Sequence, residues 1–515
     1  MYLSEKNVLW IGQNVADDTQ KGRICLNLKR ANRHGLITGA TGTGKTATLK
    51  TLAEGFSDAG VPVFLCDVKG DVSGLCMPGE AGGWAEKSAA VIGIEGWSFA
   101  PYPVRFWDVF GKRGVPVRTT ISDVGPELLG RLMELSEVQK EVLAVVFKIA
   151  DDNGWLLIDT KDVKAMLQYV STNSKELSLE YGSLAPQSIA SIQRNIVHLE
   201  GIGGETFFGE PELDLHDWLA TDETGRGIIN LLQCVELVQN PLLYSTFLLW
   251  MLSDLYEKLP EVGDLEKPKI IFFFDEAHLL FSGAPGALIQ KVEQVARLIR
   301  SKGVGVYFIS QSPGDIPDTV LAQLGNKVQH ALRAYTPAEQ KAVRAAAASF
   351  RPNEAFDTGE TIGRLGIGEA LVSMLDESGT PTVVERARIL PMRSFDGIAP
   401  DELVLQRVQA SALSAKYATA VDNISAFEVL TGVQEEQTRQ KEEAAAQEAA
   451  QKAAEKEAVA QQKQAEKEAE QERKKAQRNA EKTQAAIGRV ATNTASAIGR
   501  EVAKGIFRGL FGTRK

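Results

Sequence analysis

Cysteine is scarce: Cys25, Cys66, Cys76 and Cys234 are widely spaced and form no C-x-x-C pair. That excludes a disulfide framework and offers no thiolate cage for a structural metal, so the four read as small core residues. Long apolar runs are missing as well. No stretch approaches the ~18 uninterrupted apolar residues of a membrane-spanning helix, and the opening Met1-Tyr2-Leu3-Ser4-Glu5-Lys6 lacks the basic and apolar regions of a signal peptide. A cytoplasmic protein is expected. Positive charge is short over most of the chain: residues 1–432 hold 40 Lys+Arg against 54 Asp+Glu, whereas 433–515 hold 17 against 13. An acidic body repels nucleic-acid phosphates on average, so any such binding would have to use a local basic lining such as a ring lumen. With 44% hydrophobic, 24% charged and 7% aromatic residues, what is present is a globular profile, and 515 residues exceed what one core holds, pointing to two or three units.

The pattern along the chain is an α/β one. Residues 34–38 and 61–66 read as short buried strands flanking a helix from Lys45 to about Ser57, and residues 1–111 form the first part of a nucleotide-binding core. From 112 to 222 apolar residues recur three and four apart, notably over 127–151, 159–171 and 185–199, which predicts a helical insertion. The strand-helix rhythm returns over 223–400, with strands at 227–232, 270–274, 304–310 and 327–332 and a closing hairpin at 368–375 and 380–390. Connecting helices follow at 401–432. Residues 433–486 are rich in Ala, Glu, Lys and Gln, with Glu448/Lys452 and Glu470/Lys474 in the favourable i,i+4 order, which predicts a long solvated helix or a weak coiled coil. The last segment, 487–515, carries Val490, Ile498, Val502, Ile506 and Leu510 as a stripe with Arg500, Lys504 and Arg508 on another face. It reads as a basic amphipathic element for a partner or a membrane surface, or as a disordered tail.

The chemistry concentrates in three places. Gly39-Ala40-Thr41-Gly42-Thr43-Gly44-Lys45-Thr46 fits G-x-x-x-x-G-K-[ST] between a strand and a helix that continues with Ala47, the context a phosphate-binding loop demands. Its glycines let backbone N–H groups surround phosphates, Lys45 reaches the β- and γ-phosphates of ATP, and the Thr46 hydroxyl binds Mg²⁺. The strand 270–274 ends in Asp275 and Glu276, one acid for the Mg²⁺ shell and a second to polarise a water, which points to hydrolysis rather than binding alone. The strand 304–310 delivers Gln311 at its carboxyl end, as a γ-phosphate sensor or as a plain turn residue before Ser312-Pro313-Gly314. Asp67, followed by Lys69 and Asp71, fits either a place near the same water or a surface loop.

These motifs, with the helical insertion and the run Ser310-Gln311-Ser312-Pro313, resemble the HerA/FtsK superfamily of RecA-like ATPases, closest to a bacterial branch of HerA-like helicases. Asp67-Val68-Lys69-Gly70-Asp71 and Asp222-Glu223-Thr224-Gly225-Arg226-Gly227 look typical of that branch. The resemblance covers roughly 1–400 and implies a RecA-like P-loop fold and a homo-hexameric ring that hydrolyses ATP at subunit boundaries and moves DNA. It also implies an arginine supplied by the neighbouring subunit, for which Arg297 and Arg300 are the candidates, with Arg333 behind them. The 33 residues before the first P-loop strand are too few for the β-barrel of archaeal relatives. A second reading, from another class, is an ATP-switched assembly protein that docks through 487–515; a P-loop kinase fits less well, because the paired acids follow a hydrolase pattern.

Overall fold

The strand at 270–274 is apolar at every position because both faces of its sheet are covered. In this computed structural model Ile270, Phe272 and Phe274 join one core with Leu36, Phe64, Val306 and Phe308, while Ile271 and Phe273 join another with Ile37, Leu65, Tyr307 and Ile309. The structure describes residues 1–15, 22–263, 265–281 and 286–493. They divide into one unit over 1–430 and a second from 431 onward.

The first unit is built on thirteen strands: β1 (Tyr2–Leu3), β2 (Val8–Asn14), β3 (Arg23–Asn27), β4 (Gly35–Thr38), β5 (Val63–Asp67), β6 (Val104–Asp108), β7 (Val115–Pro116), β8 (Ile229–Gln233), β9 (Ile270–Phe274), β10 (Val304–Ser310), β11 (Asn326–Gln329), β12 (Glu369–Ser373) and β13 (Glu385–Ile389). Their spatial order is β1-β2-β13-β12-β11-β4-β10-β9-β5-β8-β6-β7, with β3 on β2. From β11 to β7 every pairing is parallel. The order puts β10 between β4 and β9, so the carboxyl ends of these three strands open side by side. That is where ligands sit in open α/β sheets.

The other edge differs from the plain strand-helix alternation read at the start of the chain. The first 33 residues supply β1, β2 and β3, which pair antiparallel and attach to β13 through Ala387 opposite Asn14. β12 and β13 form the closing hairpin, whose Asp376 carboxylate accepts from the Ser378 and Thr380 N–H groups in the turn. The insertion between β7 and β8 is helical, and the stretch read as continuous over 127–151 is two helices, Ile121–Leu132 and Glu137–Asn153. Glu134 breaks it in a left-handed conformation (φ 50°), and Ser136 with Gln139 caps the second helix. Leu143, Phe147, Met166 and Ile192 of the insertion enter the same core as one face of the sheet, so these helices cover that face.

In the second unit the helix Ala426–Asn493 continues past 431, and its described side chains from 432 to 487 are exposed. Glu448–Lys452 and Glu470–Lys474 pair along it at 2.6 and 2.7 Å. The tail read at 487–515 lies, from 494 on, outside the described residues. No described helix is long and apolar enough to cross a membrane.

Candidate functional site

The loop Gly39–Gly44 leaves β4 and enters the helix Lys45–Asp58, with its apex at Thr41 and Gly42 exposed and its base at Gly39 and Thr43 buried. Two glycines are dictated by the backbone. Gly44 caps the helix at φ 114°, and a Cβ on Gly39 (φ 154°) would lie 2.5 Å from His330 Cβ. Sequence reasoning missed the support beneath the loop. Past β11 the chain runs on beside it: His330 N–H donates to Thr38 O at 2.7 Å, Ala40 N–H to Ala331 O at 2.8 Å, and Gly368 N–H to Thr43 O at 3.1 Å. The buried His330 ring bridges Thr48 Oγ1 (2.8 Å) and Glu369 O (2.9 Å); burial pushes its pKa down to about 4, so it is a neutral strut at pH 7. Lys45 is 8% exposed and its ammonium donates to Gly39 O at 2.6 Å and Ala40 O at 3.1 Å, closing over the loop. Burial lowers its pKa, opposed by the charges of Glu276 and Asp275. Thr46 and Ala47, on the first turn of the helix, are half-buried.

Beside this cradle stand four acids. Asp275 and Glu276 follow β9 and are buried, and Glu276 holds a left-handed backbone conformation (φ 47°) that a non-glycine residue adopts at a cost. Burial pushes Asp275 up to about 6 against the pull of Lys69, with Glu276 adding to the rise. Asp67, read as either near the site or on a surface loop, is fully buried at the end of β5; desolvation, then the charge of Asp71, pushes its carboxyl up to about 7. Its Oδ1 accepts from Gly70 N–H at 2.7 Å, but its Oδ2 and Asp71 Oδ1 are buried without a hydrogen-bond partner. Such a set of crowded, under-satisfied carboxylates fits a cation. Mg²⁺ is commonly held by one or two protein oxygens together with phosphates and water. Asp275 and Thr46 are the residues that would hold it.

Glu276 differs from its neighbours. Burial would raise its carboxyl, but the hydrogen bond and charge of Lys69, helped by His278 and Lys45, hold it below the usual carboxylate range. His278 Nδ1 lies 3.1 Å from Glu276 Oε2. Neither partner was read from the sequence, although His278 sits only two positions on. Lys69→Met is therefore expected to raise the Glu276 pKa. A general base works above its pKa and fails as pH falls through it, so the acid limb of the variant's pH–rate profile should move to higher pH. The loss should be roughly tenfold near pH 6 and smaller near pH 8, measured as kcat/KM for ATP.

Gln311 leaves β10 exposed and lines an open cleft of about 640 Å³ with His278, Phe281 and Asp315. Asp315 caps the turn after it, accepting from Ser310 Oγ (2.5 Å) and Ser312 N–H (2.9 Å). Arg297 and Arg300 are exposed at the other end of this element: the helix Gly286–Ile299 and the turn Arg300–Lys302 feed the amino end of β10. Seven residues of extended strand, roughly 20 Å, separate them from the phosphate loop of their own chain. Arg333 is exposed four positions past β11 and donates to Gly363 O at 3.0 Å.

Comparison with known proteins places this geometry. The family model described as "Helicase HerA-like C-terminal" matches residues 12–515. Two relatives named DNA double-strand break repair helicase HerA are similar at low identity. The one from Saccharolobus solfataricus is 23% identical over 70% of this chain and 64% of its own length; the one from Sulfurisphaera tokodaii is 21% identical over 75% and 69%. Thus the chain spans about two thirds of these relatives. Among solved structures, the bacterial conjugative coupling protein TrwB (15% identity, TM-score 0.48, 73% of this chain and 89% of that one) and VirB4 of Thermoanaerobacter pseudethanolicus (15%, 0.44, 74% and 96%) are similar. With a family match that runs through the phosphate loop, the acid pair and the sheet that carries them, the chain belongs to the HerA-like helicase C-terminal family, within the HerA/FtsK superfamily of P-loop ATPases.

Proposed function

We propose that the chain is an ATP-hydrolysing motor that works as a hexameric ring on DNA. The observation that carries the hydrolytic part is Glu276, kept ionised by Lys69 beside a buried Asp275 and the Lys45 cradle. Nucleotide binding alone does not call for a second, activated carboxylate at that place. The backbone N–H groups of Gly42 to Thr46 bind and orient the phosphates, Lys45 exchanges the loop carbonyls for phosphate oxygens, and Glu276 draws a proton from the attacking water. Bound Mg²⁺ neutralises charge on the phosphates. The ring reading rests on the arginines: Arg297 and Arg300 are exposed and lie before the amino end of β10, whose seven residues span roughly 20 Å, so they suit the phosphates of a neighbouring subunit better than those of their own loop, as a head-to-tail interface of six copies would allow. DNA as the substrate rests on the names of the HerA relatives.

Steady-state ATPase activity of the full-length protein, with and without single- and double-stranded DNA at two salt concentrations, tests this. Strong stimulation that weakens with salt is expected, because phosphate contacts release counterions. Turnover indifferent to DNA would instead support the second reading, an ATP-switched assembly protein. The observation favouring that alternative is the helix that continues past 431, whose described side chains from 432 to 487 are exposed. Truncation at Gly432 should spare a motor and cripple a switch.

A further inference from the structure

Away from the phosphate loop, a partly open pocket of about 170 Å³ lies between the helices Ile121–Leu132 and Pro241–Lys258, with Asp123, Glu127 and Glu257 exposed on its lining. The first helix is broken at Gly125 (φ 71°) ahead of Pro126, and it lines the cavity with Asp123, Glu127 and Arg131, four residues apart. The second presents Trp250, Ser253, Asp254 and Glu257, the i, i+3, i+4, i+7 stripe of a single helix face. A packed core would fill such a stripe with aliphatic side chains.

Four polar atoms on this lining have no hydrogen-bond partner: Arg131 Nη1, Trp250 Nε1, Ser253 Oγ and Asp254 Oδ2. Trp250 is 2% exposed and Asp254 8%, so bulk water does not satisfy them, and buried polar groups are rarely left unpaired. The other oxygen of Asp254 is held by Lys258 at 3.0 Å, and Arg131 already donates to Glu127 at 2.7 Å. What remains open is two N–H donors, one carboxylate acceptor and one hydroxyl that can do either. A bare cation would serve only the acceptor. A bare anion would serve only the donors, and would face Asp123, Glu127, Asp254 and Glu257 against Arg131 and the adjacent Lys258. A molecule with an ammonium at one end and a carboxylate at the other satisfies both, and the excess of acids favours one with a further positive charge.

We propose that this cavity is a binding site for a free basic amino acid. Its ammonium donates to Asp254 Oδ2, its carboxylate accepts from Trp250 Nε1 and Arg131 Nη1, and its second cationic group lies among Asp123 and Glu257. The volume suits a ligand of that size, equal to that of about six liquid waters. None of its lining residues belongs to the phosphate loop or the acid pair.

Isothermal titration of the full-length protein with L-lysine and L-arginine, each up to about 20 mM, tests the assignment. Saturable binding is expected, at least about tenfold tighter than for cadaverine, which lacks the carboxylate, or for L-glutamate, whose net charge is wrong. Asp254→Asn and Trp250→Phe should each weaken it by about tenfold or more while the free variants melt as the parent does. A cavity filled by water only would show no saturable heat with either basic amino acid, and that result overturns the proposal. Equal binding of lysine and cadaverine, or affinity unchanged in both variants, overturns it as well. Should either variant fail to fold, the ligand series on the unaltered protein decides alone.

Discussion

Glu276→Gln is expected to bind ATP with near-normal affinity and to hydrolyse it at least about 100-fold more slowly, the usual cost of losing a positioned base. The physical case is local. Glu276 sits in a left-handed backbone conformation at the end of β9, little exposed, with Lys69 on one carboxylate oxygen and His278 3.1 Å from the other. Glutamine has the same shape and can occupy the same place, so the phosphate cradle of Gly39 to Thr46 is untouched. It cannot accept a proton from water, and it removes the carboxylate that pairs directly with Lys69, leaving that ammonium the charges of Asp275 and Asp71. Binding of a fluorescent ATP analogue together with single-turnover hydrolysis separates the two effects. Turnover like that of the parent would remove Glu276 from the mechanism, and the acid beside Asp275 would then be a structural carboxylate.

The contiguous parts of this site were legible in the sequence, and the reason is geometric. A phosphate loop is a backbone device closed within eight residues, and an acid pair at a strand end is announced by the five apolar residues before it. The expected strands at 270–274 and 304–310 coincide with β9 and β10. What the sequence hid depends on contacts between distant segments. Lys69 meets Glu276 across 207 positions, and His330 meets Thr48 across 282. Nothing at position 67 distinguished a buried acid from a loop acid until β5 was seen to lie between β8 and β9, which leaves Asp67 no route to solvent. The amino-terminal strands were hidden for a similar reason: β2 is a strand because β13 and β3 flank it, and one of those partners lies more than 370 residues away. The open donors Trp250 Nε1 and Arg131 Nη1 could not be read at all, since a tryptophan and an arginine on amphipathic helices look alike whether those atoms are paired or not.

Lys45→Ala is the complementary case, and it should lose binding where Glu276→Gln keeps it. The Lys45 ammonium donates to Gly39 O and Ala40 O. Phosphate oxygens are better acceptors for a charged donor than neutral carbonyls, so ATP draws the ammonium across and gains a charge-assisted contact that alanine cannot replace. An affinity loss on the order of 100-fold or more follows, read by the same fluorescent analogue. Folding stability should hardly change. Alanine forfeits two hydrogen bonds, each worth about 1 kcal/mol, but it also removes an ammonium whose burial opposes its charge, as the lowered pKa shows. Thermal melting without nucleotide should therefore coincide with that of the parent, and only the parent should gain stability when Mg²⁺ and ATP are added. A variant that still gained stability from ATP would mean that the loop amides bind the phosphates without the lysine, and the cradle would have to be redrawn around the helix amino terminus.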